Sequence, residues 1–179
     1  MVRGFCLSIS WLWKFQGKIR MRIITDKNEL EKVRNYMGLA AMISEYSKCT
    51  KTKRGVVIAK DNKILGIGCI QSTLEELCHP CIRLNKHDAE YQNCPALHAE
   101  EMAINSALQQ GYKENLEGAT LYHLKVKNGK WRESSPGKGC KICSRYIAYY
   151  KINVVLSQSN GFVMYDSNEI IKDIFLKSQ

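Results

Sequence analysis

Apolar positions fall at helical spacing from Asp26 onward: Leu30, Val33, Met37, Ala40, Ala41 and Ile43 share one face to about Ser47. Asp26, followed three residues later by Glu29, has the form of a capping box and starts that helix. The period then changes. "GVVIAK" and "ILGIGCI" flank the turn "DNK" and predict a β-hairpin. Residues 71–97 show little periodicity and hold three cysteines and two histidines. A second helix is predicted from about His98 to Gln110, stopped by Gly111. "ATLYHLKV" reads as a strand and "KNGKWRESSPGKG" as a polar, basic loop. Cys140 to Tyr150 forms a short helix, "INVVLS" a strand, and "SNEIIKDIFLK" a closing helix capped by Ser167. The order predicts α/β layers around one mixed sheet, with no internal repeat and no low-complexity tract.

The chain has 179 residues, enough to bury a core without staples, and reads as one domain over 21–179. Residues 1–20 look different and read as an extension, with Met21 as a possible second start. The extension lacks the cleavage site of a secretory signal, and no stretch is long enough to span a membrane. A reducing, cytoplasmic compartment is the expectation, so the eight cysteines read as metal ligands or core residues before disulfides. The net charge is +10, four of it in residues 1–20. That balance suits an anionic ligand such as a nucleotide or nucleic acid, or a merely basic surface.

"CPALHAEEMAI" sets His98 and Glu100 two residues apart at the start of the second helix. Mid-helix they would point roughly 200° apart. In a first turn, where one of them is a cap, they can converge. "GCKICSR" opens the next helix with Cys140 and Cys143, and a helix N-terminus favours thiolates. One imidazole and two thiolates suit zinc, and three protein ligands leave a fourth position for water. Zinc lowers the pKa of such a water, and a nearby carboxylate that is not a ligand, Glu100, can carry its proton. Taken alone, His98 is an ordinary packed histidine and Cys140/Cys143 a redox pair; that reading leaves Glu100 unexplained.

The pattern H-A-E followed by C-x-x-C resembles the zinc-dependent cytidine and deoxycytidylate deaminase signature. "SKCTKTKRGVVIAKDNKILGIG", "CHPCIRLNKHDAEYQNCPALHAEEMAI", "GATLYHL" and "YKINVVLSQ" are similar to segments of deoxycytidylate deaminases, over roughly residues 26–158. The resemblance implies a three-layer α/β/α sandwich around a mixed sheet, zinc on His98, Cys140 and Cys143, Glu100 as proton shuttle, and a homo-oligomer. Two positions depart from the family. Gly139 stands where proline usually precedes the first cysteine, and Ile70, followed by Gln71, stands where an asparagine usually touches the substrate. Gln71 is a candidate substitute for it.

The loop before Cys140 carries Lys125, Lys127, Lys130, Arg132 and Lys138, with Lys141 and Arg145 just beyond, against Glu133 alone. It reads either as a clamp, through Lys130, Arg132 and Lys138, for a nucleotide phosphate or polynucleotide backbone, with Trp131 stacking on a base, or as a solvated hairpin tip. Cys49, Cys78, Cys81 and Cys94 are candidates for a second, structural zinc, by resemblance at Cys49, with His79 or His87 as stand-ins; the alternative is four free thiols. His123, mid-strand, reads as a packed residue. The expected activity is hydrolytic deamination of a cytosine-type base in a free pyrimidine nucleotide, dCMP to dUMP first. The alternatives are deamination of cytosine or adenine within single-stranded DNA or RNA, and an idle zinc-stabilised nucleotide-binding domain.

Overall fold

In the computed structural model, which describes residues 21–72, 74, 76, 78, 81, 94–134, 140–167, 169 and 170, helix α1 (Lys27–Glu45) begins where the capping pattern sets it. The Asp26 carboxylate accepts the Glu29 backbone N–H at 2.8 Å, satisfying a donor that a helix start leaves unpaired. The Glu29 carboxylate turns instead to Arg22 of strand β1 (Met21–Ile23), which donates to it from Nη1 at 2.7 Å. The extension 1–20 and the closing helix beyond Ile170 lie outside the described residues.

Strands β2 (Lys53–Lys60) and β3 (Lys63–Cys69) pair antiparallel as the expected hairpin. Asp61 and Asn62 both take positive φ, 49° and 60°, the geometry that matches the twist of a tight hairpin. Helix α2 (Ala99–Gln109), strand β4 (Thr120–Lys127), helix α3 (Lys141–Tyr149) and strand β6 (Asn153–Gln158) follow within two residues of expectation. Strands β5 (Lys130–Arg132) and β7 (Gly161–Tyr165), with β1, are additions to it. Strand β5 corrects the loop reading of residues 127–132: it is exposed at all three positions and too short for alternation to mark it, and Asn128–Gly129 turns the chain at φ 54° and 67°. Ser167 is already helical, and the Glu169 N–H reaches the Asp166 carbonyl at 3.0 Å, so the closing helix starts one residue earlier than a Ser167 cap requires.

The sheet order is β1-β7-β6-β4-β2-β3, with β5 on the end of β4. The β4–β6 pair is parallel and the others are antiparallel, so the sheet is mixed. Its central strands are apolar on both faces. Val56, Ile58 and Leu121 pack with Ala103, Ile104 and Ile147 of α2 and α3. Val57, Ala59, Tyr122 and Leu124 pack with Val33, Met37 and Ala40 of α1 on the other face. The fold is the three-layer α/β/α sandwich. Each fully buried Ile58 or Leu121 contributes roughly 1.5–3 kcal/mol. Glycine sets the depth of α2: a Cβ at Gly68 would overlap Ala99 O and Ala103 N, so the helix start rests directly on β3. Among the described residues no helix is long and apolar enough to cross a membrane.

Candidate metal centre

The irregular stretch after β3 closes where Gln71 and Leu97 exchange backbone hydrogen bonds of 3.2 and 2.8 Å. His98 comes next and is the N-cap of α2, extended at φ −74° and ψ 158°. Its N–H donates to the Glu101 carboxylate at 2.9 Å. A cap residue lies off the helical path, so His98 and Glu100 are not held the roughly 200° apart that mid-helix positions would impose. Cys140 repeats the arrangement as N-cap of α3, φ −56° and ψ 128°. Both the backbone N–H and the hydroxyl of Ser144 donate to its carbonyl at 2.9 Å. Cys143, 1% exposed, lies in the first turn.

Two helix N-termini thus deliver three donors. His98, Cys140 and Cys143 ligand atoms lie within 4.8 Å of one another, and His98 Nδ1 is 3.2 Å from Cys143 Sγ. Among the described residues this is the group of three or more such donors at that spacing. The Cys143 contact, with His98 behind it, pushes the Cys140 thiol down to about 4. Cys143 is raised in turn by Cys140 and by burial, and His98 is raised by the Cys140 sulfur. One imidazole, one ready thiolate and one further sulfur, all closely packed, fit a zinc ion, and three protein donors is the count that a catalytic zinc takes.

Glu100, in the first turn of α2, is largely enclosed, its side chain 14% exposed. Burial drives its carboxyl upward, but neighbouring charge, that of Arg54 among it, turns it below its ordinary value. His123 is buried, as its strand position implies, yet it is more than packing: Nε2 lies 3.9 Å from Glu100 Oε1. Arg54 and Ser134 also reach the His123 ring. Nothing in the sequence marks these two, because the contacts join distant segments across the sheet.

Gln71 is exposed at the mouth of the 71–97 stretch, its amide 3.8 Å from Cys69 Sγ. Lys130 and Arg132 are exposed on β5 with Trp131, and Lys138 lies outside the described residues, as does Gly139. Cys49, Cys78, Cys81 and Cys94 are free and half-buried; Cys78 and Cys81 bridge each other through their backbones. Among the described residues no three of these four cysteines bring donors within 4.8 Å of one another. His79 and His87 lie outside the described residues.

The model of the cytidine and deoxycytidylate deaminase zinc-binding region matches residues 30–158. Among solved structures, cytidine deaminase from Burkholderia pseudomallei is 20% identical over 76% of this chain and 94% of its own, with a TM-score of 0.50, a likeness of fold. The apo dCMP deaminase of cyanophage S-TIM5 is 23% identical over 69% of this chain and 80% of its own, with a TM-score of 0.47. No curated protein matches the chain.

Proposed function

The chain belongs to the cytidine and deoxycytidylate deaminase family, and from that membership we propose that it is a zinc hydrolase that removes the exocyclic amine of a cytosine-type base in a free nucleotide, converting dCMP to dUMP. The observation that carries the reading is the convergence of His98, Cys140 and Cys143 at two helix starts beside the enclosed Glu100. These three residues would hold zinc. Bound there, zinc supplies a Lewis acid that lowers the pKa of water toward neutrality. Glu100 takes a proton from the attacking water and delivers it to the ring nitrogen. It then moves the second proton to the amine, which departs as ammonia. Burial shields these transfers from bulk solvent. The likeness of residues 78–104 to the corresponding segment of deoxycytidylate deaminases supports dCMP as the first substrate. Exposed Ile142, Tyr146 and Tyr149 along α3, at 43, 47 and 75%, support assembly with further copies.

Acting on a single strand is the second reading, and one observation favours it: Trp131 stands 44% exposed between Lys130 and Arg132, an aromatic between two cations. The deciding experiment measures zinc content together with ammonia release from dCMP, CMP, deoxycytidine and a cytosine-containing single strand. Release from dCMP without release from the strand supports the leading reading; the reverse supports the second. Glu100→Gln should keep its zinc and lose at least about 100-fold in turnover. Persistent turnover would remove Glu100 from the shuttle role. Zinc with no turnover of any substrate would point to an idle nucleotide-binding domain. One zinc per chain matches the three-donor site, and two would add the separate cysteine group.

A further inference from the structure

Around Glu100 lies a polar group that neither the metal donors nor the proton transfers use. Strand alternation assembles it. On β4, His123 shares a face with Leu121, which packs toward α2 and α3. On β2, Arg54 shares a face with Val56, which packs toward the same layer. Val56 stands opposite His123 in the β2–β4 register. Arg54 Nη1 lies 3.3 Å from His123 Nε2. Ser134 Oγ lies 3.4 Å from His123 Nδ1. Ser134 is itself 7% exposed and fixed by its backbone N–H to the Ser157 carbonyl of β6 at 2.8 Å.

These contacts determine the state of the ring. A guanidinium has only N–H groups and cannot accept. His123 Nε2 must therefore accept from Arg54, and the ring proton sits on Nδ1, donating to Ser134 Oγ. Burial, with Arg54 and Lys125 adding to it and Glu100 opposing, pushes the imidazole down to about 4, which agrees with a neutral ring. Nε2 and Glu100 Oε1 are then two lone-pair atoms facing each other at 3.9 Å. Such a pair is stable only beside a positive charge, and the Arg54 guanidinium, 3.3 Å from that same Nε2, is the cation next to it.

We propose that Arg54 and His123 are positioning residues for Glu100: His123, locked by Ser134, holds the guanidinium in one orientation, and the guanidinium holds the carboxylate toward the reacting atoms. The inference rests on the deaminase reading for the role of Glu100. The contacts run from Ser134 to His123, and from His123 Nε2 to the Arg54 guanidinium at 3.3 Å and the Glu100 carboxylate at 3.9 Å, so a fixed backbone bond is tied to the side chain that moves protons. Losing a link loosens the carboxylate and leaves the metal donors as they are. The effect therefore belongs in kcat, with KM and zinc content unmoved.

The test has two arms on the full chain. With histidines labelled in ¹⁵N, the His123 resonances are assigned by their loss in His123→Asn. Wild type should show the Nδ1–H form, and Arg54→Met should move the Nε2 resonance of His123. This arm needs no substrate. In the second arm, Arg54→Met should lower kcat for dCMP by about 10- to 100-fold with KM and zinc content unchanged. Arg54→Lys, the milder variant, should recover part of the loss, and Ser134→Ala should lose less than Arg54→Met. An Nε2–H form of His123, or an Nε2 resonance that ignores Arg54→Met, overturns the clamp even if dCMP is deaminated. Wild-type kcat in Arg54→Met with the expected spectra overturns the positioning role. Absence of turnover in wild type sinks the deaminase reading, and the spectra still decide the clamp.

Discussion

His123 carries a pH signature that one substitution can isolate. Free in the unfolded chain it titrates near 6.5, and burial in the fold lowers it to about 4. Between those values the unfolded chain binds the extra proton, so stability rises with pH across that window and is lost as pH falls through it. The slope is about 1.4 kcal/mol per pH unit. Urea unfolding at pH 7 and pH 5 should show wild type losing about 2 kcal/mol more than His123→Asn over that step. Equal losses would mean that the fold leaves the His123 pKa at its free value. The contrast with the His98–Cys140–Cys143 cluster and Glu100 shows what a sequence discloses at this scale. His98, Glu100, Cys140 and Cys143 are legible because their residue types and spacing on helix starts already specify a chemistry. Arg54 and His123 stand 69 positions apart and meet only through strand pairing, so no local pattern joins them.

The elements that carry the site are positioned by where side chains are missing. Gly68 lets the first turn of α2 rest on β3, with Ala99, the residue between His98 and Glu100, directly against it. Gly68→Ala should cost about 1–3 kcal/mol by overpacking. It should also reduce zinc content by shifting the His98 cap. Gly38, inside α1 with nothing near its added methyl, is the control: Gly38→Ala should stabilise by about 0.4–1 kcal/mol. Thermal melts with zinc analysis separate the two, and a neutral Gly68→Ala would show that α2 is not seated by contact. Caps and periodicity made α1, α2 and α3 legible almost to the residue, since Asp26, His98 and Cys140 each end an extended stretch. Strands β5 and β1 were hidden because each is three residues long and exposed at every position, too short for a period to show.

At the scale of the whole molecule, the +10 charge gains meaning from the β4–β5 hairpin, which holds Lys130 and Arg132 in solvent. Replacing both with Gln should raise KM for dCMP and leave deoxycytidine, which lacks the phosphate, unchanged; one charge-assisted contact is worth about 1.5–3 kcal/mol. A loss confined to single strands, with a salt slope smaller by about 2, would assign the hairpin to a polynucleotide backbone. The three-layer architecture was legible from element order, because alternating strands and helices of these lengths have few ways to bury both sheet faces. The parallel β4–β6 pair has a consequence in time. Hairpins such as β2–β3 and β6–β7 close between chain neighbours within microseconds. A parallel pair waits for its whole crossover, and here that crossover is the segment bearing Cys140 and Cys143, while His98 lies before β4. The three donors therefore meet only once that crossover has docked, and a ribosome must release β6 before the nascent chain can bring His98, Cys140 and Cys143 together.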